Sequence, residues 1–526
     1  IRDAAWGAPE GRLYLADPHR HRIVRIPRPA GELREGEVEP VDTCEGALGV
    51  VRTGPWLIYD CMLGHRVVAR RVDAEGRVGP AVAIEHDGPL WSFDAAIADS
   101  GALWIVAGGV EDHPLDRTDG AFGYVDSFVF VYEVAPGAPD GPAAATQRHA
   151  LNVSASGVIT PKHVRWSPGL GATLVTGYGS DVALQVAWPT EPGGTPTVQR
   201  HALGPGITAG VGTPSDGVFA SPLLDAWIVS RPGRSPRIVT VADPADDRTP
   251  SERLGEALAF TGLMAPQATS EGRRSRFTCE TCHFEGRTDG RTHWTGRGEV
   301  HATTKTLRGL LNNRPHFSRA LDRTTARMVH SEFRVANAGT AQDPWFSLTR
   351  ANAPWLDALG APPDPLDPVT LRRALLDFLA AFTPEPNPAV RGLTALGPQQ
   401  AAGARLFAEH CVSCHQARLV ADDPRSVVPV ARWADLVLHP TGGIVWGSSE
   451  RARTGVEPYV HPEGPRVPSL RRLWVKRPLL TNGRARSVLQ LLADVRLGSP
   501  QIHAGGEGRA LTLVEQEALA AFLDLL

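Results

Sequence analysis

Six cysteines and eighteen histidines are the residues of this chain whose spacing can do chemistry. Four of the cysteines fall in two copies of one pattern, Cys279-Glu-Thr-Cys282-His283 and Cys411-Val-Ser-Cys414-His415. Two thiols three residues apart on a helical turn can add to the two vinyl groups of one haem, and the adjacent histidine then reaches the iron from the proximal face. The pattern implies two covalently attached c-type haems. A shared zinc site is the competing chemistry, but zinc ribbons set their cysteine pairs roughly 15–20 residues apart, and these pairs lie 132 residues apart. Cys44 and Cys61 remain. Covalent haem attachment in bacteria takes place outside the cytoplasm, so a periplasmic or extracellular compartment is expected. There a Cys44–Cys61 disulfide would persist; two unpaired, half-buried thiols are the alternative.

The elements that must position these motifs come in two copies. In the first, Gly255-Glu-Ala-Leu-Ala-Phe260 precedes Cys279–His283, and Thr306-Leu-Arg-Gly-Leu-Leu-Asn-Asn-Arg-Pro315 and an amphipathic helix at 371–382 follow it. In the second, Gly403-Ala-Arg-Leu-Phe407 precedes Cys411–His415, and Ser469-Leu-Arg-Arg-Leu-Trp-Val-Lys-Arg-Pro478 and a helix at 513–523, with Thr512 at its N-cap, follow. The spacing from Leu-Arg to Arg-Pro is the same in both. Two tandem, mainly-α cytochrome c domains are expected, over 246–388 and 389–526, joined at Pro384-Glu-Pro-Asn-Pro388.

Residues 1–245 read differently. Short β-rich runs alternate with Gly/Pro/Asp turns: 11–17 with 21–26, 56–60 with 66–70, 102–106 with 127–132, 172–176 with 181–186, and 226–230 with 237–241. Each pair reads as a hairpin. Their recurrence about every 40–50 residues predicts an all-β, N-terminal β-propeller of five to seven blades; a pair of β-sandwiches is the alternative. Residues 242–253, rich in Pro, Asp and Arg, read as a linker. The 54 glycines and 45 prolines suit so many tight turns. No stretch reaches the ~18 consecutive apolar residues of a spanning helix, and a net charge of −3 gives no reason to expect nucleic acid as a partner. Within the propeller, His19 and His21 read as turn residues, and His113 with Glu111, Asp112 and Asp116 as a charged loop or a metal site.

Two fused Cys-x-x-Cys-His domains, with Val467-Pro-Ser-Leu-Arg471 and Arg477-Pro-Leu-Leu-Thr-Asn-Gly-Arg484 in the second copy, resemble the bacterial di-haem cytochrome c peroxidase/MauG superfamily. Cys282-His-Phe-Glu-Gly-Arg-Thr-Asp-Gly290 is similar to relatives that carry an N-terminal, YVTN-like propeller. The resemblance covers about residues 250–526. It implies a first haem that reacts with hydrogen peroxide and a second that relays electrons, and it allows a calcium ion between the cytochrome domains. It also implies a proton-moving group after the first Leu-Arg block, for which Glu332 and His330 are the candidates. His293, His301 or His316 would instead close the first haem if one bound its sixth position. Relatives place a Trp between the haems where this chain has Pro315-His-Phe-Ser-Arg319, so that relay is not expected here.

In relatives the sixth ligand of the second haem is a Met or Tyr, at a position matching about Val495. Val495 cannot ligate, and no Met follows Cys411. His439, His461 and His503 are the histidines beyond the second motif; Gln501-Ile-His-Ala-Gly-Gly506 resembles a His-Gly segment of some relatives, which implies His503 as the ligand, a solvent-facing loop histidine being the alternative. Three functions fit: a peroxide-dependent oxidoreductase whose propeller docks an electron donor or a protein or peptide substrate; an electron carrier with both haems six-coordinate; and a propeller binding protein wired by cytochromes.

Overall fold

The computed structural model describes residues 2–27, 38–98, 100–112, 125–135, 144–167, 171–241, 243–264, 278–294, 301–310, 316, 324–336, 345–351, 353–383, 387–390, 393, 395–415, 467–468, 470, 473–499, 502–503 and 506–526. The chain folds as two compact units, residues 1–284 with 333–378, and residues 285–332 with 379–526. The segment 246–388 is therefore shared between the units.

The first unit begins with twenty strands in five antiparallel four-stranded sheets, each ordered as in the sequence. They are β1–β4 (Asp3–Gly7, Arg12–Asp17, Arg22–Pro27, Glu39–Thr43), β5–β8 (Ala47–Thr53, Trp56–Cys61, Arg66–Val72, Val78–Glu85) and β9–β12 (Leu90–Ile97, Leu103–Asp112, Val125–Val134, Ala145–Asn152), then β13–β16 (His163–Ser167, Ala172–Thr176, Val182–Ala187, Thr197–Ala202) and β17–β20 (Ala209–Thr213, Asp216–Ser221, Ala226–Ser230, Arg237–Thr240). Successive sheets stack face to face. Tyr14, Ile23, Leu57 and Tyr59 fill the space between the first and second. Trp56, Ile58, Leu103 and Phe130 fill that between the second and third, and Val106, Val131, Val175 and Leu184 that between the third and fourth. The first strands of these sheets lie side by side, β1 on β5, β5 on β9 and β9 on β13. Carboxylates stitch two of these junctions: Val50 N–H donates to Asp3 Oδ2 and Trp166 N–H to Asp94 Oδ2, both at 2.9 Å. This is a β-propeller built of blades rather than a pair of sandwiches.

The turn from second to third strand is closed by a left-handed residue in three blades, His21 (φ 50°), His65 (φ 51°) and Asp225 (φ 48°). Asp and His are among the non-glycine residues that tolerate this region best. His21 has a structural role there, its Nδ1 accepting from Gly46 N–H at 3.0 Å. Cys44 and Cys61 form the expected disulfide, with Cα atoms 4.9 Å apart, tying the entry of the second blade to the end of β6.

After the last blade the chain turns helical: α1 (Pro250–Phe260), α2 (Thr325–Ala336), α3 (Pro368–Ala381), α4 (Pro398–His410), α5 (Val488–Ala493) and α6 (Leu513–Leu523). The stretch read as a linker already holds the start of α1. Thr249 and Glu252 form a reciprocal capping box with Pro250 in the first turn. Arg248 bonds Asp225, Asp246 and Glu256, and Arg253 bonds Asp225 and the Leu224 carbonyl, fastening α1 to the last blade.

The internal duplication is visible as packing. A Cβ added to Gly255 on α1 would lie 2.0 Å from the Ala374 carbonyl oxygen on α3, and one added to Gly403 on α4 would lie 1.9 Å from that of Ala518 on α6. Each crossing is flanked by an aromatic pair, Phe260–Phe378 with centroids 5.6 Å apart and Phe407–Phe522 at 5.5 Å. Among the described residues no helix is long and apolar enough to cross a membrane.

Candidate functional site

The second Cys-x-x-Cys-His follows directly from α4. Cys411 N–H donates to the Phe407 carbonyl, and Cys414 and His415 N–H both donate to the Cys411 carbonyl, so the motif is one more turn. Val412 is tucked into the core of the second unit, while Cys411 and His415 are half-buried and Cys414 is exposed. Thiols and imidazole thus share one accessible side, as residues i, i+3 and i+4 of a turn do. Burial, and then the neighbouring Cys414, push the Cys411 thiol up to about 12, so it is held protonated. His415 Nδ1 lies 3.3 Å from the Pro468 carbonyl. That acceptor requires the hydrogen on Nδ1 and leaves the Nε2 lone pair for a ligand. Burial, then the adjacent His503, push this imidazole down to about 4, so it is neutral at pH 7.

His503 faces it. The two ring centroids are 5.9 Å apart and the rings are inclined by 65°. Two imidazoles on opposite sides of one metal, at the ~2.0–2.1 Å metal–nitrogen distance usual for histidine, have centroids about 6 Å apart. The structure therefore brings together the two histidines that the sequence pointed to. It adds a residue whose role the sequence did not signal: Arg484 Nη2 donates to the His503 carbonyl at 2.6 Å and pairs with Asp494 at 3.2 Å. Val495 is buried in the core of this unit, in keeping with a position that does not ligate.

The first motif has the same backbone, with Cys282 and His283 N–H donating to the Cys279 carbonyl. Its inward side is more deeply buried: Thr278, Glu280, Thr281 and Phe284 are all under 5% exposed, while Cys279, Cys282 and His283 are partly open. Cys279 Sγ lies 3.8 Å from Met264 Sδ. Phe284 packs at 5.4 Å on Trp91 of β9, and Glu280 pairs with Lys162.

The other candidates are placed as follows. His293 Nε2 is 2.6 Å from Asp289 Oδ2. Burial raises that carboxyl, but His293 and then Arg291 outweigh it and hold it at about 2. His316 is buried and its Nε2 meets Thr325 Oγ1 at 3.1 Å. Both histidines are thus engaged by protein groups. His330 is half-buried on α2, and Glu332 lies on the same helix. The side chains of Glu332, Trp294 and His301, and all of His113, Asp116, His439, Tyr459 and His461, lie outside the described residues. Glu111 is turned instead to His86, 3.9 Å away, whose Nε2 meets the Tyr132 hydroxyl at 2.7 Å.

No family model and no curated protein matches this chain. Among solved structures it is similar to a periplasmic gluconolactonase of Pseudomonas aeruginosa, at 17% identity and a TM-score of 0.28 over 41% of this chain and 56% of that one. It is similar to a gluconolactonase of Xanthomonas campestris, at 18% identity and 0.28 over 45% and 75%. It is also similar to hydrazine synthase of Kuenenia stuttgartiensis, at 16% identity and 0.30 over 56% and 100%. The chain thus spans little more than half of the Pseudomonas protein it matches.

Proposed function

We propose that the protein is a di-haem c-type oxidoreductase of the cytochrome c peroxidase/MauG type. The observation that carries this reading is the facing pair His415 and His503 beside two accessible thiols, with spacing and tautomer suited to one iron. A bound haem supplies an iron that exchanges single electrons and, where a coordination position is open, reduces peroxide. In the second site the thiols of Cys411 and Cys414 hold the group covalently, His415 and His503 offer one nitrogen each, and the Pro468 carbonyl and Arg484 fix the two rings. Ligation on both sides suits electron relay. In the first site Cys279, Cys282 and His283 play the attaching roles. Asp289 and Thr325 each engage one ring nitrogen of His293 and His316, so the spin state of the first haem decides whether its sixth position is open to peroxide. By the resemblance, His330 or Glu332 would be the group that moves the peroxide proton. The Cys44–Cys61 disulfide suits a periplasmic or extracellular setting, and the propeller offers loops for docking an electron donor or a protein or peptide substrate.

The test is the absorption and EPR spectrum of the oxidised protein before and after one equivalent of hydrogen peroxide. One high-spin ferric signal lost on addition, beside one low-spin signal, is expected. Two low-spin signals unmoved by peroxide, before and after half-reduction, would overturn peroxide chemistry and leave the electron carrier.

A further inference from the structure

The residue after the first cysteine differs between the two motifs. In the second it is Val412, an apolar side chain buried in the core of its own unit. In the first it is Glu280, whose side chain is 1% exposed. A carboxylate taken so far out of water requires a partner, and the propeller supplies one. Lys162, at the entrance to β13, forms an ion pair with Glu280 with its own side chain 6% exposed. Its ammonium also stands 4.2 Å from the Tyr178 ring and 4.8 Å from the Phe284 ring, a setting that favours a desolvated cation.

The surrounding contacts show what the pair is for. Thr278 lies against Gly179, where an added Cβ would come within 2.9 Å of its methyl group, and Gly262 N–H donates to the Gly179 carbonyl at 2.8 Å. Phe284 enters an apolar cluster of Met62, Leu63, Trp91, Val110 and Val125, drawn from the second and third blades. The attachment loop is therefore seated on one end of the blades by an apolar plug at Phe284 and one charge pair at Glu280. The apolar plug does not depend on charge; the pair does, and it adjoins the thiol of Cys279.

We propose that Lys162 is a positioning residue of the first haem: blade four of the propeller clamps the attachment loop through Glu280, and the neutralised pair sets the electrostatic environment of that haem. The propeller is then part of the redox centre rather than only a docking module. This rests on the haem reading above. Because the pair is neutral as a whole, its two members have opposite effects when removed singly. Loss of Lys162 removes one positive charge from beside the first haem, which favours the oxidised iron. Loss of the Glu280 charge removes one negative charge, which favours the reduced iron.

The experiment uses the full chain. Intact mass and pyridine haemochrome absorbance first count the covalent haems in the wild type; fewer than two would overturn the haem reading itself. Spectroelectrochemistry then gives both potentials in Lys162→Met, Lys162→Arg, Glu280→Gln and Lys162→Met with Glu280→Val. The expected result is a lower first-haem potential in Lys162→Met, a higher one in Glu280→Gln, values near wild type in Lys162→Arg and in the double variant, and an unmoved second haem. Shifts of the same sign in both single variants, or no shift with both haems present, would overturn the proposal. Should Lys162→Met fail to fold, the double variant, which gives the first motif the apolar residue of the second, is expected to recover folding and both haems. A double variant no better than Lys162→Met would overturn the proposal as well.

Discussion

Gly403→Ala is the most direct probe of how the second site is framed. On helix propensity alone it stabilises α4, since glycine in a helix interior costs about 1 kcal/mol against alanine. The packing opposes this. The new methyl would sit 1.9 Å from the Ala518 oxygen, 2.6 Å from its carbonyl carbon and 2.9 Å from Phe522 Cβ. Carbon–oxygen contacts close at about 3.3 Å, so α4 and α6 must part by about 1.4 Å. None of the obstructing atoms belongs to a side-chain end that can rotate away. Overpacking of this kind costs about 1–3 kcal/mol and more where backbone must move; a cost of about 3–4 kcal/mol here, less the ~1 kcal/mol of propensity, leaves an expected net loss of about 2–3 kcal/mol. At roughly 2–4 °C per kcal/mol for a unit of this size, Tm falls by about 4–12 °C. Cys411 directly follows α4, so on the proposed reading a fraction of the molecules would lack the second covalent haem. Thermal unfolding followed by helical circular dichroism, with haem counted by mass, reads both effects. The sign decides: a variant as stable as wild type or more so would refute the close crossing. Gly255→Ala, with its Cβ 2.0 Å from the Ala374 oxygen, is expected to behave the same way in the first copy.

Four further outcomes are expected. If the proposed second haem is bound, His503→Ala would convert its low-spin EPR signal to high spin, and Arg484→Ala, which removes a donor to the His503 carbonyl, would give a mixture of the two. Burial, then Arg165, push His163 down to about 4, against about 6.5 in the unfolded chain. The unfolded state binds the extra proton in that window, so stability is lost as pH falls from about 6.5 to about 4; His163→Gln flattens this slope in urea titrations. Arg52 and Glu10 form a pair with side chains only 4% and 1% exposed, and Arg52→Met leaves that carboxylate without its cation though still accepting from the Tyr14 hydroxyl, for a loss of about 3 kcal/mol in urea unfolding.

Strands buried on both faces were the legible ones. The hairpins read from the sequence in the first four blades are their two middle strands, such as Trp56–Cys61, buried throughout, with Arg66–Val72, which carries the buried run Val67–Ala69. In those four blades the first and fourth strands went unread because they are half solvated: Glu39–Thr43 and Thr197–Ala202 carry no apolar run. The last hairpin named, 226–230 with 237–241, is the third and fourth strand of its blade, whose glycine-rich first strand Ala209–Thr213 went unread. The Cys-x-x-Cys-His pattern is local, so it shows in sequence. His503 is singled out among three histidines by the resemblance of its segment to relatives. Lys162 and Arg484 act across 118 and 19 residues of chain respectively, and no local pattern marks a lysine or arginine as the partner of a distant group.

The discontinuity of the first unit bears on how the chain is made. Its residues 1–284 are complete only when 333–378 have followed, and Gly255 on α1 has no partner until Ala374 emerges. At roughly 5–20 residues per second, this leaves the Cys279 and Cys282 thiols on an unfinished scaffold for several seconds. Cys44 and Cys61, only 17 residues apart, emerge long before them. Early pairing of those two removes them as competitors for the thiols of the two Cys-x-x-Cys-His motifs, so the order of residues along the chain itself guards against mispaired cysteines.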